Sequence, residues 1–245
     1  MDATPTIRDA VLHVGQLRQI AAATPGLARA VSDIKQLQAR RFAGSYADLL
    51  DTDRYRAAAR FFLEELYSAK DYSGRDAQFA RIAGTLERLF PPQVVQTATA
   101  LAQVHRLSEE LDLAMAQQVI QHADTNEVTR YIAAWRVVDR RADRYAQLTT
   151  VIRIGQELDR LTRTPGLRLM LKMMRRPANL AGLGALQQFL EAGFDTFAAM
   201  GRQGEGAQHF LEIVQARETR LIDLLFDGNV VACETELTQL LGQAR

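Results

Sequence analysis

Apolar positions recur at steps of three and four along nearly the whole chain, and runs of alternating apolar and polar residues are nearly absent. The pattern predicts helices and no sheet. Helix breaks are legible between the periodic segments. Thr4-Pro5 opens a first helix reaching about Ala23, with Thr4 as its cap and Pro5 in the first turn, where a missing amide costs nothing. Thr24-Pro25-Gly26 interrupts the chain, and a second helix runs to about Arg41. Asp51-Thr52 starts a third, with Tyr55, Ala58, Phe62 and Leu66 on one side, ending near Tyr67. Ser73, followed three residues later by Asp76, reads as a capping box for a fourth helix that ends near Phe90, before Pro91-Pro92.

Two longer segments follow, one from 92 to about 122 and one from about 126 to 163, the second introduced by Asp124-Thr125-Asn126-Glu127. At about 1.5 Å per residue they would reach roughly 45 to 60 Å, beyond the width of a compact domain of this size. Either one is kinked, with Gly155 as the expected place, or 92–163 forms an extended central hairpin. Shorter helices are expected over 166–175, 180–200, 205–226 and 230–241, with 201–206 as the loosest loop. The expectation is an all-α protein: a multi-helix bundle of about nine or ten helices in one domain, 1–245, with a long central hairpin.

Gly15-Gln16 and Thr24-Pro25-Gly26-Leu27 recur as Gly155-Gln156 and Thr164-Pro165-Gly166-Leu167, at a constant offset of 140 residues. Two readings stand. Either 5–90 and 150–226 are duplicated halves flanking the hairpin, or a common helix break has recurred by chance.

The run Phe61-Phe62-Leu63-Glu64-Glu65-Leu66-Tyr67, then Asp71, then Arg75-Asp76, resembles the signature of an uncharacterised family of all-helical bacterial proteins. The likeness continues through Leu107-Ser108-Glu109-Glu110-Leu111-Asp112, Ala134-Trp135-Arg136, Phe189-Leu190-Glu191-Ala192-Gly193-Phe194 and Arg217-Glu218. It spans about two thirds of the chain and implies no activity, cofactor or catalytic residue.

Composition changes this picture little. Apolar residues make up 47% and charged residues 24% of 245, as in an ordinary folded protein. The amino terminus lacks the pattern of an export signal, and no uncharged stretch is long enough to span a bilayer, so a soluble, cytoplasmic protein without a membrane partner is expected. Cys233 is the only cysteine, which excludes an internal disulfide. Only three of the 30 basic residues are lysines. The net charge is +1, but Arg130 to Arg176 holds 12 basic and 4 acidic residues, whereas Pro177 to Arg245 holds 4 and 9. These segments should attract one another. That expectation is preferred over nucleic-acid binding, because the chain as a whole is not basic.

Three places carry candidate chemistry. Arg60, Tyr67, Asp71, Arg75 and Asp76 form a polar corner between the third and fourth helices, read as a structural clamp or, in the alternative, a small anion site. Tyr131, Trp135 and Tyr145 lie on a heptad-spaced stripe whose polar-tipped aromatics are candidates for a ligand pocket. His105 and Glu109, four apart, are weak metal candidates, as are the pairs Asp9–His13 and Glu205–His209, with hydrogen-bonded structural pairs the simpler reading. No cofactor is predicted, and neither a phosphate loop nor a nucleophile elbow occurs. The reading that results is a non-enzymatic helical binding or scaffold protein acting as a homo-oligomer, a homodimer using the long central hairpin, with a protein partner as a further expectation. The alternative is an enzyme or sensor with a small molecule or metal inside the bundle.

Overall fold

The computed structural model describes residues 3–66, 70, 72–122, 126–201 and 206–244. It is 88% helix, with no strand among the described residues. In chain order the α-helices are α1 (Ala3–Ala23), α2 (Leu27–Ser45), α3 (Ala47–Leu50), α4 (Arg56–Phe61), α5 (Ser73–Leu89), α6 (Pro92–Val119) and α7 (Glu127–Val138). They continue as α8 (Arg141–Thr162), α9 (Leu167–Met173), α10 (Arg175–Leu180), α11 (Gly184–Gly201), α12 (Gly206–Asp227) and α13 (Val230–Gln243). A π-helical turn, Phe62–Leu66, extends α4. This exceeds the nine or ten helices expected. The short α3 precedes the predicted third helix, whose start moves to Arg56, the segment 126–163 is divided into α7 and α8, and the stretch 166–200 forms α9, α10 and α11.

The long helices do not form an extended hairpin standing off the domain. α6 is packed by α1, α2, α7 and α8, and α8 is covered in turn by α11 and α12. The break expected at Gly155 falls instead at Asp139, whose φ of 44° ends α7 in the left-handed region before α8 begins. Gly155 serves another purpose. A Cβ there would stand 2.5 Å from Leu211 Cδ2, so its hydrogen lets α8 and α12 approach closely. Asn126 caps α7 by accepting the Thr129 amide at 2.9 Å, and Asn229 caps α13 by accepting from Ala232 at 2.8 Å.

The two Thr-Pro-Gly turns are conformational twins. Gly26 has φ 78° and ψ −17°, and Gly166 has φ 78° and ψ −18°. In each, the following leucine amide reaches back to threonine, Leu27 to Thr24 at 3.1 Å and Leu167 to Thr164 at 3.3 Å. Beyond the turns the elements differ, since α2 runs to Ser45 and α9 stops at Met173.

Packing is divided in two. The main core is built around Phe42, Tyr46, Phe62, Phe197 and Phe210, all nearly inaccessible. A smaller cluster, Ile7, Ala10, Ala83 and Ala102, joins α1, α5 and α6. The oppositely charged segments meet as expected. Arg141 pairs with Asp227, Arg175 with Glu191, and Arg168 with Asp195 at 2.8 Å. Among the described residues, no helix is long and apolar enough to cross a membrane.

Candidate functional site: an apolar cavity with a paired polar wall

Between the two packing clusters lies a cavity of about 240 Å³. Its apolar wall comes from several helices at once: Phe79 and Ile82 of α5, Val94 and Leu101 of α6, Val151 and Leu158 of α8. Leu167 and Leu171 of α9 and Phe189 and Phe197 of α11 complete it. Phe61 at the end of α4, with Phe62 and Glu65 of the π turn that inserts a residue into the helical repeat, also lines it. For scale, a cavity of about 150 Å³ lined by Leu, Ile and Phe stays dry and accepts benzene.

One side of the cavity is polar, and its charges are satisfied within the protein. Asp76, 5% exposed, receives Arg18 Nη2 at 2.8 Å and His105 Nε2 at 3.1 Å on the same Oδ2 atom. Burial works against its ionisation. The bonds from His105 and Arg18 outweigh that cost and hold its carboxyl below the ordinary range. His105 is the donor, since a carboxylate only accepts. Lys35 Nζ lies 2.6 Å from Glu109 Oε1, and Gln38 Nε2 donates to Asp112 Oδ1 at 3.0 Å. Burial, with Glu109 close by, raises the Asp112 carboxyl despite Lys35 and Arg144. Gln147 donates to Ser108 Oγ at 2.6 Å, and that hydroxyl donates to the Val104 carbonyl at 2.8 Å. Arg75 bonds Glu65 Oε2 at 3.3 Å, its guanidinium carbon 3.9 Å from the Tyr72 ring centre and 4.5 Å from that of Phe189. Burial lowers its pKa, with Tyr72, Asp76 and Glu65 acting in the other direction.

The polar corner read from the sequence is therefore only partly brought together. Arg75 and Asp76 both face the cavity, Arg60 is exposed on α4, and Tyr67 and Asp71 lie outside the described residues. Asp76 is not a helix cap. Instead of turning to the first amides of α5, it points inward and ties α5 to α1 and α6 through Arg18 and His105. His105 and Glu109 line the same cavity but have different partners, Asp76 and Lys35. Among the described residues no group of three or more His, Cys, Asp or Glu is placed to hold a metal ion. Glu205 lies outside the described residues, His209 faces Glu212 at 3.8 Å, and His13 pairs with Glu110 at 3.0 Å.

Tyr131, Trp135 and Tyr145 do not line the cavity. Tyr131 and Trp135 are buried in the main core with ring centres 5.8 Å apart, and Phe226 lies 5.7 Å from Trp135. Arg144 stacks on Trp135 at 4.1 Å, and the Tyr145 hydroxyl donates to Asp223. Their heptad spacing reflects core packing. What the local sequence does not reveal is the set of long-range partners. Lys35 meets Glu109 across 74 residues and Arg18 meets Asp76 across 58, and no spacing rule joins them.

Fold and site together define an all-helical protein whose core is divided around an apolar cavity with internally paired charges. The chain belongs to the family described as Domain of unknown function (DUF8198), whose model matches residues 17–231. No curated protein and no solved structure matches it. The runs that carried the sequence resemblance are well represented on the cavity wall, by Phe61, Phe62, Arg75, Asp76, Glu109 and Phe189.

Proposed function

We propose that the protein is a non-enzymatic binding protein for an uncharged, largely apolar small molecule held in this cavity. One observation carries the reading: a cavity with mainly apolar walls, in which the charged groups of the polar side already have protein partners. A charged ligand would have to displace one of these bonds and leave a buried charge uncompensated, which costs several kcal/mol. An apolar ligand gains about 25 cal/mol for each Å² removed from water and disturbs none of them. A single hydroxyl or carbonyl on the ligand finds donors and acceptors on the polar side. Self-association through the long central helices is not needed for this reading, because α6 and α8 are packed on by other helices of the same chain.

Titration calorimetry with benzene, indole and 1-naphthol tests it. Saturable one-to-one binding of at least one of them is expected, with a rise in melting temperature. Ile154 lines the cavity from α8, so Ile154→Trp should fill the space and abolish binding while leaving helix content intact. Absence of saturable binding throughout the series overturns the reading.

A further inference from the structure

We propose that the outer face of α9 and α10 docks on an anionic lipid bilayer, placing the cavity's cover against the membrane from which an apolar ligand would come. The ligand source rests on the binding reading above, whereas the docking surface stands on its own chemistry. α9 has two apolar faces. Leu167 and Leu171 look into the cavity, and Leu169 and Met173 project outward at 63% and 69% exposure. Leu180, at the end of α10, is 90% exposed. The twin turn supplies an internal control. The positions 140 residues before Leu169, Lys172, Met173 and Arg176 hold Arg29, Ser32, Asp33 and Gln36 of α2. There Arg29 and Asp33 face each other at 4.0 Å and Gln36 donates to Ser32 Oγ at 3.2 Å, the ordinary pattern of a solvated helix face.

Charge decides the occupant. From Arg160 to Leu190 the chain contains six basic residues and no Asp or Glu. Arg168 and Arg175 are paired with Asp195 and Glu191 of α11. Lys172 and Arg176 hold no ion pair among the described residues, although Lys172 lies within electrostatic reach of Glu191. Large apolar tips beside unpaired cations, with no acid in the segment, match an interface rich in anionic headgroups. Besides those two ion pairs, the cover is attached by Gln187 Nε2, which donates to the Leu171 carbonyl at 2.7 Å, and by Arg81, which donates to the carbonyls of Ala181 and Gly182 at 2.9 and 2.8 Å.

The test is co-sedimentation of the full chain with phosphatidylcholine vesicles, with and without phosphatidylglycerol, at low and high salt. Binding should require phosphatidylglycerol and weaken with salt. Leu169→Ser/Met173→Ser and Lys172→Glu/Arg176→Glu should each reduce it by about tenfold or more. Ile154→Trp should leave it unchanged while abolishing 1-naphthol binding, and an unsubstituted protein that binds vesicles but not 1-naphthol would count against the cavity reading alone. Three results overturn the docking proposal: no sedimentation with either vesicle, binding indifferent to lipid charge and to Lys172→Glu/Arg176→Glu, or a lipid-free dimer that Leu169→Ser/Met173→Ser converts to monomer. The last would identify a second copy of the chain as the occupant.

Discussion

The α1–α2 and α8–α9 units share a turn of the same conformation and diverge immediately after it. After Gly26 the chain buries Leu27, Ala30, Ile34 and Leu37 in succession and continues as a long helix into the main core. After Gly166 it buries Leu167, covers the cavity with Leu171 and ends within two turns. The difference lies in what each helix finds to pack against. α2 lies between α6 and α13, while α9 packs mainly on α8, α10 and α11, and on each of them sparsely. Identical backbone geometry at a break therefore fixes the direction in which a chain leaves but not whether the next helix becomes core or cover. One consequence is a difference in local stability, since elements with few buried contacts open at lower free energy than those anchored in the core.

The largest expected effect breaks the α2 anchor. Arg41, 6% exposed, pairs with Glu218 of α12, and the Tyr46 hydroxyl donates to the same carboxylate oxygen at 2.9 Å. Glu218→Ala leaves a buried guanidinium without its counter-charge and should cost about 3–5 kcal/mol in denaturant unfolding. Removing the exposed Arg168–Asp195 pair of α9 by Arg168→Ala should cost about 1 kcal/mol or less.

Next in size is the turn itself. Alanine at Gly26 or Gly166 meets no atom within 4 Å, so the cost is conformational, about 1–2 kcal/mol for a left-handed residue carrying a Cβ. Gly26→Ala should appear in full in the global unfolding free energy. Gly166→Ala should appear mainly as faster amide exchange in α9 with a smaller global change. Equal global losses would remove the distinction between core and cover.

Much of this contrast was visible in the residues, for definite reasons. Thr-Pro-Gly specifies its own backbone, so both turns and their adjoining helix starts could be placed from sequence. The helical class followed from periodicity sustained over long windows. The cavity did not, because it is a space that residues of α1, α5, α6, α8, α9 and α11 leave between them, and no local pattern records a volume that neighbours leave unfilled. Asp76 shows the same limit. Its position near the start of α5 suggested a cap, but Arg18 and His105, distant in sequence, draw it inward. At Asp139 the helix break carries neither Gly nor Pro, which is why Gly155 was the better candidate on sequence alone.

A smaller effect confines two opposed pH dependences to the first unit. Asp76, bonded to α1, has a depressed folded-state pKa. Its stabilising contribution is present above the unfolded value of about 3.9 and is lost as the pH falls through the lower folded value. Asp112, bonded to α2, is shifted upward, so its effect has the opposite sign: stability is lost as pH rises from about 3.9 through the folded value. Thermal melts across pH should show that Asp76→Asn flattens the acid limb. Asp112→Asn, which keeps an amide oxygen for Gln38, should flatten the loss above about pH 4. Neither substitution should change amide exchange in α9, which receives no bond from either residue.

The smallest expected effect on stability is the most informative about the cover. Leu169 and Met173 are well exposed, so replacing both by serine removes little buried area and should change the unfolding free energy by no more than about 0.5 kcal/mol at each site. The reciprocal change in the first unit, Arg29→Leu with Asp33→Met, removes an exposed ion pair one helical turn long, worth about 0.3–0.5 kcal/mol, and should also be nearly neutral in unfolding. If the outward residues of α9 are held against the protein in solution, Leu169→Ser/Met173→Ser will instead lower the melting temperature and speed exchange in α9. A neutral result in both units, together with loss of vesicle binding in the α9 variant alone, would assign those two side chains to a surface outside the chain. Arg29→Leu/Asp33→Met should not strengthen vesicle binding, because the apolar tips it adds to α2 stand beside uncharged Ser32 and Gln36, where the second unit has Lys172 and Arg176.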